Sequence, residues 1–257
     1  MPRGDLVLEL SGAGARRTPA TIADIEPLSG GVLRLTVTPE YPLTYCPGQY
    51  VTLWRGGTLG RSYSLASLPD EGHALEFHVR VLPKGRFSGW LATGARPGDA
   101  VAVQEAAGTC FYTSALRDAH LLLVGTGTGL APLWGIVRDA LRQGHKGTIR
   151  LIHGAVARAG LYLHEDLERL AADHENLHYH ASVLEDDGRA DTYLERRPLD
   201  SLVTETIDDF TGWHSFLCGA PEMVNRLRKR IFLAGARLDS IHADAFLRTG
   251  PATVRSG

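Results

Sequence analysis

Polar and apolar residues change rhythm once along this chain. Leu33, Leu35 and Val37 fall on one side of a run that has Arg34 and Thr36 on the other, and Leu75, Phe77, Val79 and Val81 repeat the same period of two. That spacing puts every second side chain on one face and predicts half-buried strands. Pro47-Gly48, Pro69-Asp70 and Arg96-Pro97-Gly98-Asp99 supply turn residues between such runs, at intervals that suit about six antiparallel strands curled into a Greek-key barrel ending near Tyr112. After Asp118 the period lengthens. Leu133, Ile136, Val137, Ala140 and Leu141 recur at helical spacing, with Pro132 in the first turn and Gly144 as the stop, which predicts an amphipathic helix. Apolar strands return at 149–152, 179–183 and 215–218, separated by helical patterns at 165–172 and 222–233. Strand–helix alternation predicts a parallel sheet covered on both faces. The expected fold is therefore an antiparallel β-barrel domain over 18–113 and a Rossmann-like α/β domain over 114–257, after a Gly-, Ala- and Arg-rich tail or linker at 1–17.

Composition narrows the function classes. The 257 residues are 44% hydrophobic, enough for a sizeable core. The formal charge of −2 gives no general attraction to nucleic acid or an anionic membrane. The opening MPRGDLVLEL lacks the apolar core and cleavage site of a secretory signal, and no stretch approaches the ~20 apolar residues that span a bilayer, so a cytoplasmic location is expected. The three cysteines, Cys46, Cys110 and Cys218, fit neither a disulfide framework nor the four thiolates of an iron–sulfur cluster.

Chemistry concentrates in a few motifs. Arg61-Ser62-Tyr63-Ser64 is followed downstream by Gly85-Arg86-Phe87-Ser88. Gly125-Thr126-Gly127-Thr128-Gly129, with Leu130-Ala131-Pro132 behind it, lies between an apolar run and the amphipathic helix, and Cys218-Gly219-Ala220-Pro221 follows a later strand. Asp244-Ala245-Phe246 stands near the end. Taken alone, the first motif reads equally well as a strand with a surface arginine, Cys218 as a small buried hydrophobe, and Asp244 as a solvated carboxylate. Gly-rich strand-to-helix turns bind phosphates through unhindered backbone N–H groups, but Leu130 stands where the dinucleotide fingerprint has its third glycine.

Taken together and in this order, the motifs resemble the ferredoxin–NADP reductase superfamily over nearly the whole chain, and in particular the reductase modules of bacterial oxygenases. The resemblance implies non-covalent FAD in the barrel and NADH as hydride donor on the α/β domain. Arg61 would clamp the flavin pyrophosphate, a task for which a guanidinium fork is suited. Tyr63 would lie against the isoalloxazine, with Ser64 at the ring nitrogen that accepts hydride and Ser62 beside them. His78, Val79 and Arg80 would line the same cleft, and Gly85, Arg86, Phe87 and Ser88 would bring backbone donors to the phosphates. In this superfamily the nicotinamide loop is G-T-G-x-G, so Leu130 is expected. The resemblance places Gly125 to Gly129 under the dinucleotide and the Cys218 thiol, with Gly219, Ala220 and Pro221, beside the nicotinamide. Asp244 would help Ser64 and Cys218 position the hydride, and Phe246 would take the place of the aromatic that covers the flavin in plant-type members.

Electrons are then expected to pass singly to a ferredoxin or Rieske-type iron–sulfur partner of an oxygenase system. A free-flavin or ferric reductase would share the fold, and a non-catalytic flavin-binding redox sensor would hold FAD without being reduced by NADH. Residues 4–10 resemble the end of a ferredoxin domain that precedes such reductases, so the chain is open to being a fragment of a longer one. Ser182-Val183-Leu184-Glu185-Asp186-Asp187 ends the third sheet strand with three acids and no arginine, which favours NADH over a 2′-phosphorylated dinucleotide; Arg158, after the second strand, is the one residue that argues the other way. His174-Glu175-Asn176-Leu177-His178 matches H-E-x-x-H, but the helix is expected to end by Asp173 and His178 to enter a strand. The two imidazoles then do not share a face, and neither a metal site nor a zinc hydrolase is expected. The basic run 226–230 reads as a solvated helix face.

Overall fold

The computed structural model describes residues 16–185, 188 and 191–246; most of the 1–17 tail, and with it residues 4–10, lies outside them. The first half forms one antiparallel sheet from β1 (Arg17–Pro27), β2 (Val32–Pro39), β3 (Tyr50–Arg55), β4 (Leu59–Ser64), β5 (Leu75–Arg80) and β6 (Ala100–Gln104), in the order β4-β3-β6-β1-β2-β5. The alternation read from the sequence is the register itself. Leu35 and Val37 on β2, Leu75, Phe77 and Val79 on β5 and Val51 and Leu53 on β3 all turn into one interior. The helix α1 (Arg86–Thr93) closes that interior with Phe87 and Leu91.

The two end strands of this sheet, β4 and β5, curl toward each other and meet at a single bridge, Leu65 with Phe77, supported by the Ala66 N–H on the Glu76 carbonyl. Short of that bridge Arg61–Ser64 and His78–Arg80 border a seam in the near-barrel.

The second half is a parallel sheet with helices. β7 (His120–Thr126), α2 (Leu130–Arg142), β8 (Ile149–Ala157), α3 (His164–Ala172), β9 (Leu177–Glu185), β10 (Leu194–Arg196), α4 (Leu199–Thr206), β11 (Trp213–Gly219), α5 (Pro221–Leu233) and β12 (Ile241–Ala245) follow in turn. The strand order is β10-β9-β8-β7-β11-β12. Both faces of the central strand β7 are buried, so Leu121 to Val124 read as a continuous apolar run. Leu121 and Leu123 of β7 face α2 and α3, whereas Leu122 and Val124 face α4 and α5. Each such fully buried leucine contributes about 1.5–3 kcal/mol.

Cys110 and Tyr112, which close the barrel's share of the sequence, pack instead into the parallel-sheet core. The Tyr112 phenol meets His145 Nδ1 at 3.2 Å beyond the end of α2. The core on that face therefore continues across the junction of the two halves. Arg138 to Glu71 and Arg142 to Asp70 add ion pairs over the same junction.

Candidate functional site

The order of the parallel sheet fixes where a ligand can sit. β7 lies between β8 and β11 and the chain reverses direction across the sheet there; in open α/β sheets ligands bind at such a switch point, outside the carboxyl ends of the strands. Gly127–Gly129 forms a short 3-10 turn at that end and runs directly into α2, while Pro221 opens α5 at the end of β11. Neither helix start has a side-chain cap, and α2 has no acid in its first turn. Two helix starts without side-chain caps thus stand at the ends of the neighbouring strands β7 and β11, a donor set that suits a pyrophosphate. Thr126 Oγ1 joins the two loops by accepting the Ala220 N–H at 3.0 Å. Gly127 has φ 53, a conformation side chains rarely adopt.

The barrel's seam supplies the other half. Arg61, Ser62, Tyr63 and Ser64 follow one another on the edge strand β4. The Arg61 side chain is partly exposed and donates to the Gly60 carbonyl, and Ser62 is exposed. The Tyr63 ring rests on Phe87 and Phe77, with centroids 5.7 and 6.5 Å away; burial raises its phenol above the ordinary value. Ser64 is buried at the strand end, paired with Tyr50.

Across the seam, β5 offers mostly backbone. Val79 belongs to the barrel core, and the His78 ring is turned to Tyr162 of the other half, Nδ1 to phenol 3.3 Å, with Nε2 at 2.9 Å from Glu76. Arg80 donates to the Gly30 carbonyl and carries its guanidinium over Gly127. The flavin-side edge and the nucleotide loop are therefore in contact.

Gly85 precedes α1 without a side-chain cap, leaving first-turn N–H groups at Arg86, Phe87 and Ser88 with no side-chain partner at the cap. A Cβ at Gly85 would stand 2.2 Å from Ser88 Oγ, which itself accepts the Leu82 N–H. The loop is closed down to backbone there, and the exposed Arg86 adds positive charge. A guanidinium, a helix start and an aromatic wall make a set into which a flavin diphosphate and ring fit.

The ends of β11 and β12 bring the remaining residues together. Cys218 pairs in register with Asp244, and the Phe246 N–H donates to the Gly219 carbonyl at 2.8 Å. Cys218 is fully buried and its sulfur lies 3.6 Å from Cys110 Sγ. That contact, then burial, pushes the Cys218 thiol well above its usual range, and burial raises the Asp244 carboxyl. At neutral pH Cys218 is a thiol, a weak hydrogen-bond donor rather than a nucleophile.

Residues 20–112 match the oxidoreductase FAD-binding domain family and residues 123–229 the oxidoreductase NAD-binding domain family. The chain is 35% identical over 243 residues, 92% of its length and 71% of the relative's, to the ferredoxin–NAD(P)+ reductase component of the naphthalene 1,2-dioxygenase system of Pseudomonas putida. The chain belongs to the ferredoxin–NADP reductase superfamily. It is thus an FAD- and NAD-binding flavoprotein reductase. The crystal structure of the cytochrome P450 reductase of Amycolatopsis superposes with a TM-score of 0.81 at 31% identity, over 90% of this chain and 70% of that one. A ferredoxin–NADP+ reductase from Neisseria gonorrhoeae with FAD and NADP bound shares the fold, with a TM-score of 0.78 at 17% identity over 90% and 99% of the two chains.

Three features around the site were not legible in the motifs of this superfamily member. Cys110 is one. Another is His153, fully buried on β8, whose Nε2 meets the Gly127 carbonyl at 3.1 Å and whose imidazole burial holds at about 4; being neutral, it donates one N–H and fixes the glycine loop from below. The third is Asp191, which receives the side chain of Arg158 at 2.5 Å. His164, Glu168 and Asp191 bring three ligand-type atoms within 4.8 Å of one another, and Arg158 pairs with the Asp191 carboxylate of that group. In the H-E-x-x-H stretch α3 ends at Ala172, Asn176 donates to the His145 and Gly147 carbonyls, and β9 begins at Leu177. Of the basic run, Arg226 pairs with Asp200 and is otherwise at the surface. No helix among the described residues is long and apolar enough to cross a membrane.

Proposed function

We propose that this chain is the reductase of an oxygenase electron-transfer system, taking reducing equivalents from NADH through FAD and delivering electrons singly to a ferredoxin or Rieske-type iron–sulfur protein in the cytoplasm. Bound FAD supplies the conversion of a two-electron hydride donor into a one-electron source. Arg61 and the start of α1 hold its diphosphate, Tyr63 walls its ring, and Ser64 offers a hydroxyl at the ring edge. The glycine loop over β7 and the start of α5 hold the dinucleotide. Asp244 borders the place where the nicotinamide meets the flavin, Cys218, kept as a thiol, is buried behind it against Cys110, and Phe246 covers that place until the dinucleotide enters. Hydride transfer needs donor and acceptor atoms to approach to ~3–3.5 Å, so these residues act by placement.

The observation that carries this reading is the contact of the two halves, with Arg80 of the seam over Gly127 and, in the buried core, Cys110 against Cys218. It sets the flavin seam beside the nucleotide switch point, which supports a single shared cleft. NADH is favoured because Glu185 ends β9 and Arg158 is taken by Asp191, leaving carboxylates at the adenosine side; Asp186 and Asp187 lie outside the described residues. The division into a barrel over 18–113 and an α/β domain over 114–257 is part of the same proposal.

The test is anaerobic transfer from NADH to an added plant-type ferredoxin, followed at the iron–sulfur absorbance, with free FMN, ferric citrate and NADPH as competing substrates. Ferredoxin reduction with FAD retained through gel filtration supports the reading. Faster reduction of dissociable flavin or ferric citrate assigns the chain to the free-flavin or ferric class, and bound FAD that NADH leaves oxidised makes it a sensor.

A further inference from the structure

Glu76, His78 and Arg80 occupy every second position of β5, on the face opposite Phe77 and Val79, which point into the barrel core. In an isolated barrel that polar face would meet water. Here the parallel-sheet half covers it, and His78 is only 4% exposed. Its ring stands edge-on to Tyr162, with centroids 5.2 Å apart at 82°. Nδ1 lies 3.3 Å from the phenol oxygen and Nε2 2.9 Å from Glu76. An ionised carboxylate only accepts, so the His78 proton is on Nε2 and Nδ1 accepts the Tyr162 O–H. Burial keeps the ring neutral, lowering its proton affinity against the pull of Glu76.

Tyr162 belongs to the other half, on the link between β8 and α3, and is fully buried in the parallel-sheet core. The next residue, Leu163, has φ 57 and is the one non-glycine among the described residues in the left-handed region. Such strain persists only where surrounding contacts over-determine it. The Tyr162 ring also meets His153 edge-on, with centroids 5.6 Å apart at 87°. Among the described residues His153 Nδ1 has no hydrogen-bond partner, so the one N–H of that neutral imidazole goes to the Gly127 carbonyl, 3.1 Å from Nε2. Two histidines and one phenol thereby link β5, which borders the flavin seam, to the middle of the nucleotide loop. Arg80, above the same loop, donates to Gly30 in its own half, so the Tyr162 phenol carries the hydrogen bond that crosses here.

We propose that Tyr162 is a positioning residue for hydride transfer: by donating to His78 and backing His153 it fixes the Gly127 loop against β5, and so the dinucleotide against the flavin. This rests on the reading of the cleft as the place where NADH reduces FAD. Tyr162 acts through the two histidines and has no part in the hydride step itself.

The experiment uses the FAD-loaded protein and Tyr162→Phe, which keeps the ring but leaves His78 Nδ1 a buried acceptor without a donor. Anaerobic stopped-flow at varied NADH separates dinucleotide affinity from the limiting rate of flavin bleaching. Amide hydrogen exchange read by mass spectrometry, with no dinucleotide added, reports the two segments directly. The limiting rate is expected to fall about tenfold to a hundredfold, the scale of a misplacement of about 1 Å. Affinity for NADH stays within about threefold, because the loop keeps its backbone donors. Exchange rises about tenfold in peptides covering both 76–80 and 125–129, as expected for one lost hydrogen bond. In a His78→Phe background the acceptor is already gone, and adding Tyr162→Phe changes rate and exchange by less than about twofold.

A Tyr162→Phe protein that keeps FAD and shows native bleaching and native exchange overturns the proposal. So does a loss of affinity with the limiting rate unchanged, which would make Tyr162 a binding residue. A rise in exchange confined to the Tyr162 segment, or an effect that persists in full in the His78→Phe background, overturns it as well, since the phenol would then act by local packing alone. Should Tyr162→Phe fail to fold, His78→Phe puts the same question from the barrel side. It is expected to show the same slowed bleaching and the same rise at 125–129, and native values there contradict the proposal. Failure of the underlying reading looks different: native protein whose bound FAD stays oxidised in NADH removes the premise before any variant is made.

Discussion

Gly129 closes the nucleotide loop with helical angles, φ −59 and ψ −15, so alanine there meets no backbone strain. The obstacle is steric. A Cβ at Gly129 would lie 2.2 Å from the Cys218 carbonyl oxygen, 2.6 Å from its carbonyl carbon and 2.9 Å from the Gly219 Cα, where ordinary contact begins at 3.4 Å. All of these atoms are backbone, so no side-chain rotation relieves them, and the loop must draw back from β11 by about 1 Å. Overpacking of this kind costs about 1–3 kcal/mol, a fall in Tm of about 2–12 °C for a protein of this size. A displacement of that order between reacting partners lowers rates by up to about a hundredfold. The perturbation is confined to the junction of β7, β11 and α2, away from Arg61, Tyr63 and α1. Gly129→Ala is therefore expected to keep its full complement of FAD and to be reduced by dithionite as readily as the native protein. Flavin bleaching by NADH in anaerobic stopped-flow slows about a hundredfold. Bleaching within threefold of native, with Tm unchanged, refutes the claim that β11 holds the loop in its working position.

Other outcomes follow from the same geometry. His153 is held neutral at about 4 by burial, against 6.5 in the open chain. Between those values the unfolded state binds more protons, so stability falls as pH drops from about 6.5 to 4, by about 3 kcal/mol from this residue. Urea denaturation at pH 7 and 4.5 should show a smaller loss for His153→Gln than for the native protein, and equal losses contradict the assignment. Arg61→Lys keeps the charge but not the fork, so FAD dissociation measured by fluorescence should weaken about tenfold, close to the effect of Arg61→Ala; full rescue by lysine argues against a pyrophosphate clamp. Cys110 and Cys218 are buried and Cys46 is partly exposed. Native labelling with iodoacetamide read by mass spectrometry should therefore modify Cys46 first, and early labelling of Cys218 contradicts its placement.

Residues whose identity repeats with the period of an element were the legible ones. The alternation on β2 and β5, the apolar runs of β8, β9 and β11 and the helical spacing of α2 each encode which face is buried, and the structure places those faces inward. The glycine-rich loop was legible because only backbone can approach so closely there. What sequence left out depends on contacts between distant segments. β1 has Pro19 in its first half and a break in register between Ile22 and Asp24, so its alternation is interrupted and its place beside β6 is set by tertiary pairing. β12 is short, and its strand character comes from lying against β11. Cys110 stands 108 positions from Cys218, and no local pattern announces their meeting. Arg158 was visible as a basic residue at a telling strand end. Its pairing with Asp191, 33 positions further on, shows only in the folded chain.

The central claim is that one cleft between the barrel and the parallel sheet receives both FAD and NADH and brings their reactive ends together. Anaerobic mixing of the FAD-loaded protein with one equivalent of NADH, followed at the flavin absorbance, tests it most directly. The account predicts rapid bleaching of the bound flavin with stoichiometric loss of NADH and no flavin released to solution. A protein that binds FAD and NADH together yet stays yellow would contradict it.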